Sequence, residues 1–216
     1  DVYKRQDYAP TTAISSISWD DPNFPNIEGF GVWAAKCNFT MGPDGKMYSR
    51  MLGGNLVRID VENARGENLT NGDLVGTKDG SAYGLVFDPQ DENVFYFSNN
   101  DKHCIYKYDL RTKECACWAG QEGKSGYLDG PIGQAMFNKP GQMCVDSEGN
   151  IILTDTENHC IRKITMSTGY VSTLAGKPQN SGYVNGSAED AQFKKPLGIC
   201  IDNDDVMYIG DSENRA

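Results

Sequence analysis

No apolar run in the 216 residues approaches the ~18 needed for a helix to cross a bilayer, so a membrane-spanning helix is not expected. Basic residues are scarce: 20 Lys and Arg stand against 30 Asp and Glu, a formal charge of −10. Such a field repels phosphate, which disfavours a broad nucleic-acid partner. Histidine occurs only twice, at His103 and His159. No two cysteines have the Cys-x-x-Cys spacing of a zinc or thiol-redox motif, although there are seven cysteines. A helical period of 3.6 is also missing from the apolar pattern.

What is present is turn punctuation. Glycine numbers 24 and proline 9, scattered between short apolar runs such as Gly84-Leu85-Val86-Phe87 and Ile151-Ile152-Leu153. With 38% hydrophobic residues the chain is too apolar for a disordered tail, and this spacing is that of an all-β protein with many turns. The sequence has no initiator Met. Asp1 to Gln6 can be back-translated into a transposon end used in DNA library preparation and is set aside as an artefact. Residues 7–28, with Pro10, Pro22 and Pro25 and few apolar positions, read as a linker.

The chain repeats itself. Ser125-Gly126-Tyr127 recurs as Ser181-Gly182-Tyr183, 56 residues on, and the same offset relates Gly130 to Gly186, Ala135 to Ala191, Phe137 to Phe193, Lys139-Pro140 to Lys195-Pro196, Cys144 to Cys200 and Asp155 to Asp211. Backwards, His159-Cys160-Ile161 falls on His103-Cys104-Ile105, and Leu174-Ala175-Gly176 on Trp118-Ala119-Gly120. A weaker copy places Leu56-Val57-Arg58-Ile59-Asp60 over Ile105 to Asp109. In the unit from Gly141, strands are expected at 141–146, 151–154, 160–165 and 170–175, with a turn at 147–150. Arg162 and Lys163 between Ile161 and Ile164 suit an outer strand more than a fully buried one. Four antiparallel strands per repeat predict a β-propeller, here a fragment of about four blades spanning residues 29–216, with strand edges that further blades would cover.

Lys139-Pro140-Gly141-Gln142-Met143-Cys144-Val145-Asp146, then Thr154-Asp155-Thr156, then Asn158-His159-Cys160-Ile161-Arg162-Lys163-Ile164, resembles the bacterial form of the NHL repeat. The resemblance is good over residues 80–216 and weak over 29–79. It implies a ring that commonly closes with about six blades, and in similar proteins an immunoglobulin-like IPT/TIG domain upstream, with export to the periplasm or cell surface. It says little about activity.

Several residues carry candidate chemistry. His103 and His159 suit metal binding or a general base, but their repeated place in the turn that names the family favours packing. Asp155, Glu157, Asp211 and Glu213 have calcium-binding chemistry, yet Asn158 and Asn214 beside them favour hairpins closed by Asx side chains. We therefore read Asp155, Asn158, His159, His103, Asp211 and Asn214 as structural, with no metal and no cofactor. Cys104, Cys160, Cys144 and Cys200 are repeat-equivalent small core positions. Tyr127, Asp129, Tyr183 and Asn185 in the loops between blades, with Trp118 near them in sequence, are the candidate ligand-binding set, where aromatic rings stack on a sugar or clasp a peptide. The alternative for the tyrosines is burial beneath a neighbouring blade.

The expectation is a non-catalytic binding or scaffolding propeller recognising a glycan or protein. The alternative is a metal-dependent enzyme resembling gluconolactonases or amidating lyases, which needs acidic, Asn or His ligands converging on the channel. Instead, the inner strands offer Met143, Cys144, Ile199 and Cys200. An RNA-binding propeller would need a basic face that a chain of charge −10 lacks.

Overall fold

A computed structural model describes residues 39–50, 56–60, 65–70 and 84–215; the expected artefact and linker at 1–28 lie outside the described residues. Four antiparallel sheets follow one another. The first orders β1 (Thr40–Met41), β2 (Met47–Arg50), β3 (Leu56–Asp60) and β4 (Arg65–Asn68); the second β5 (Leu85–Phe87), β6 (Val94–Asn99), β7 (Cys104–Asp109) and β8 (Cys115–Gly120). In the third, β10 (Pro140–Val145), β11 (Ile151–Asp155), β12 (Cys160–Thr165) and β13 (Tyr170–Ala175) meander in order, and β9 (Gly130–Pro131) pairs on the outer edge of β13. β14 (Pro196–Ile201) and β15 (Met207–Asp211) form the last sheet. This is the blade architecture of a β-propeller. Among the described residues no helix is long and apolar enough to cross a membrane.

The blades pack face to face, so the middle strands bury both sides and their sequences run nearly continuously apolar. On β6, Val94 and Tyr96 join Ile151, Leu153 and Phe137 of the third blade in one core, while Phe95 and Phe97 join Tyr48 and Leu56 of the first in another. A third core sets Ile152 and Ile161 against Phe193 and Ile199. Fully burying a side chain of this size contributes roughly 1.5–3 kcal/mol, so these inter-blade wedges dominate the stability.

Two glycines make room for the wedges. Gly120 (φ +93°) and Gly176 (φ +95°) are repeat-equivalent, and a Cβ on either would come within 2.9 Å of Phe137 Cδ2 or Phe193 Cδ2. The left-handed backbone there suits glycine alone. Each follows a bulge, between Ile105 and Tyr106 on one side and Ile161 and Arg162 on the other.

β12 differs from the expectation of an outer strand. It is the central strand of a five-stranded sheet, and Arg162 is 0% exposed. A strand pattern scores the charge as a surface feature, but the two terminal nitrogens of the guanidinium are bonded mostly by groups far off in sequence, and its Nε is left buried without a partner.

Candidate functional site

Arg162 anchors the loop that joins the second blade to the third. Its Nη1 donates to Asp155 Oδ2 at 2.7 Å and to the Met136 carbonyl at 3.2 Å; its Nη2 donates to Asp129 Oδ1 at 2.6 Å and to the Leu128 carbonyl at 3.0 Å. The guanidinium also lies over two rings, Tyr127 at 4.8 Å and Phe137 at 5.2 Å. One buried cation therefore holds both arms of the loop, which closes on itself through the Leu128 and Met136 bridge.

The remaining oxygens are used as well. Asp129 Oδ2 accepts from the Thr173 amide at 3.1 Å, and Tyr127 Oη shares a 2.6 Å hydrogen bond with Thr173 Oγ1. Asp155 accepts from the Asn138 amide at 2.7 Å and Asn158 Nδ2 at 2.8 Å. Burial pushes the Asp155 carboxyl up to about 6, with Arg162, Asn158 and the Asn138 amide working in the opposite direction. Burial also opposes the charge on Arg162, but Asp155 and Asp129 more than offset it and raise its pKa. The pair is held charged at neutral pH.

The residues of the repeat signature join blades. His103 and His159 have left-handed backbones, φ 56° and 57°, and each Nδ1 accepts an amide of the following blade's entry, Lys139 at 3.1 Å and Lys195 at 3.2 Å. Burial, then the Lys139 charge, lowers the His103 pKa, which keeps the ring neutral and able to accept. Asn158 Nδ2 donates to the Gly126 carbonyl at 2.8 Å, and Asn214 Nδ2 repeats this on Gly182 at 2.7 Å. Asp211 accepts from the Lys194 amide at 2.6 Å, as Asp155 does from Asn138. Glu157 and Glu213 pair with Lys195.

The candidate ligand set is thus divided. Tyr127 and Asp129 meet at Arg162 and Thr173. Tyr183, at the equivalent point of the next loop, is 42% exposed, and Asn185 is exposed beside it. Trp118 lies on β8 with its ring 4.2 Å from that of Tyr96. The inner strands β1, β5, β10 and β14 line a cleft of about 880 Å³ whose walls include Met41, Val86, Met143, Cys144, Ile199 and Cys200. Among the described residues no group of three His, Cys, Asp or Glu is placed to hold a metal ion.

Arg162 and Thr173 escaped reading by sequence pattern, although a signal exists. The second blade carries Asn99 and Tyr106 where the third has Asp155 and Arg162. Both members of the ion pair change together between repeats.

The NHL repeat family model matches residues 137–164. The chain is 28% identical over 167 residues to protein SUPPRESSOR OF QUENCHING 1, chloroplastic, of Arabidopsis thaliana, covering 74% of this chain and 16% of that protein. Among solved structures, a structural genomics protein of unknown function from Bacteroides thetaiotaomicron superposes with a TM-score of 0.75 at 26% identity, covering 82% of this chain and 45% of that one. An auxiliary nutrient binding protein from the same organism gives 0.67 at 28% identity, over 82% and 45%. The chain thus spans under a fifth of that curated relative and under half of either solved chain. A 56-residue repeat, four successive antiparallel sheets, the inter-blade histidines and these matches agree on a partial β-propeller that carries an NHL repeat at residues 137–164.

Proposed function

We propose that this propeller binds rather than catalyses, recognising a glycan or protein ligand through the loops between its blades, as part of an exported or surface-attached bacterial protein. The carrying observation is periodic apolar exposure on braced loops. Leu128 and Val184 are repeat-equivalent and are 46% and 43% exposed, with Tyr183 beside the second. The first of these loops is fixed from below by Arg162, Asp129 and Thr173, so its apolar tip is presented with little conformational freedom left to lose on binding. On this reading Tyr183 and Asn185 touch the ligand, while Tyr127 and Asp129 shape the loop that does so. The similarity to a nutrient-binding propeller supports the binding class.

The test is binding of the chain to glycan and peptide arrays, compared with Tyr183→Ala and the pair Leu128→Ser with Val184→Ser. A tenfold or greater loss in both, about 1.4 kcal/mol, is expected with unchanged thermal unfolding. Undiminished binding by both variants would sink the loop-face reading.

A further inference from the structure

The position facing Cys104 across the β7–β8 ladder is Gly120, which has no side chain to fill the space. Two positions along β7 on the same face, Tyr106 pairs with Cys117, because the bulge leaves Trp118 without a ladder partner. Cys117 therefore leans toward the gap: its thiol lies 3.8 Å from the Gly120 carbonyl, and it shares a hydrogen bond with the Cys104 thiol. Both belong to the core between the first and second blades, Cys104 fully buried and Cys117 half-buried at its edge. Diagonal neighbours in a regular antiparallel ladder sit farther apart than a disulfide spans, so it is the contact between the two thiols over the unfilled Gly120 position, and not the register alone, that brings this pair within reach.

We propose that Cys104 and Cys117 are a redox-active dithiol that closes to a cross-strand disulfide, stapling the third and fourth strands of the second blade, whatever the loop face binds. The oxidant is a disulfide, either glutathione disulfide or that of a thiol oxidoreductase. The Cys117 thiolate attacks one sulfur of it and expels the other as a thiolate, giving a mixed disulfide. The Cys104 thiol then loses its proton and attacks the Cys117 sulfur, displacing the second thiolate. Two protein thiols and one external disulfide become one protein disulfide and two external thiols, with two protons taken up by those leaving groups. The half-exposed Cys117 is the entry point, and the Cys104 hydrogen bond holds its pKa below that of an ordinary thiol. Cys115 on the same strand is less reactive, its thiol pushed up to about 11 by burial.

The folded chain is incubated with glutathione disulfide, alkylated in denaturant and digested with trypsin, alongside Cys117→Ser and Cys115→Ser variants. The expected product links peptides 103–107 and 114–124, persists in Cys115→Ser, vanishes in Cys117→Ser, and raises the thermal unfolding midpoint of the parent by several degrees. A Cys117 that stops at the glutathione adduct while Cys104 is fully alkylated would overturn the proposal. So would a linkage lost in Cys115→Ser.

Discussion

Replacing Arg162 by tyrosine, the residue at the equivalent place in the second blade, isolates what the buried cation does. The substitution puts an aromatic, hydroxyl-bearing side chain in the strand but leaves Asp155, wholly buried, without its counter-charge. Removing one partner of a buried ion pair costs about 3–5 kcal/mol, and the single variant is expected in that range. Changing Asp155→Asn as well installs the second blade's own combination and removes the stranded charge. The double variant should then be less destabilised than the single one, with a coupling of about 2 kcal/mol. Urea unfolding at neutral pH, followed by tryptophan fluorescence, reads both quantities. The pH dependence has a definite sign. With the cation gone, only the Asn158 and Asn138 hydrogen bonds still oppose the burial that already raises the Asp155 pKa, so the ionised form penalises the folded variant and protonation relieves it. The deficit of Arg162→Tyr against the parent should be largest near neutrality and shrink as the pH falls toward about 4, the unfolded carboxylate value. Losses that simply add in the double variant, or a single-variant loss below about 1 kcal/mol, would refute the view that the pair acts as a unit.

Two further outcomes follow from the same contacts. Gly120→Ala places a Cβ at φ +93° within 2.9 Å of Phe137 and 3.1 Å of the His103 carbonyl, whereas Gly123→Ala meets nothing within 4 Å at φ +75°; the first should cost about 1–3 kcal/mol more than the second in denaturant unfolding. His103 has a folded pKa below the ordinary value of 6.5, so its contribution is present above that pH and is lost as the pH falls toward the folded pKa. His103→Gln, which keeps an acceptor for the Lys139 amide, should remove this component from the stability profile between pH about 7 and 5, and an unchanged profile would exclude the histidine as its source.

The blade pattern was legible because 56-residue self-similarity fixes strands by comparison as well as by local propensity. In the third unit the expected and observed strands agree to within a residue or so at each end. The histidines were legible as turn residues, but their work was not. Accepting an amide 36 positions ahead depends on how blades nest, which no local spacing encodes. Arg162 was misread because its partners Asp129 and Leu128 precede it by more than 30 residues. Tyr127 and Tyr183 share the Ser-Gly-Tyr context yet differ in exposure, because Arg162 and Thr173 cover the first, while the positions 56 residues beyond these fall after residue 216.

The repeats conserve their wedges and exchange their networks, which makes one substitution informative about both. Phe137 and Phe193, Gly120 and Gly176, and Cys104 and Cys160 recur at a constant offset, whereas Thr173 stands where the second blade has Cys117. The ladder around Thr173 is the same as around Cys117: it pairs with Arg162 across an equivalent bulge, and a Cβ on Gly176 would lie 3.1 Å from Cys160 Cα, as one on Gly120 lies 3.2 Å from Cys104 Cα. Thr173→Cys should therefore create a second disulfide-competent pair with Cys160. It also gives up the hydroxyl contacts with Tyr127 and Asp129, about 1 kcal/mol under reducing conditions. In a Cys117→Ser background, glutathione disulfide should link the introduced thiol to Cys160, detected by peptide mapping, and return part or all of the lost stability. Failure to link, under conditions that close Cys104 and Cys117 in the parent, would mean that ladder geometry alone does not make the dithiol. The identity of the residue facing Arg162 or Tyr106 would then decide it.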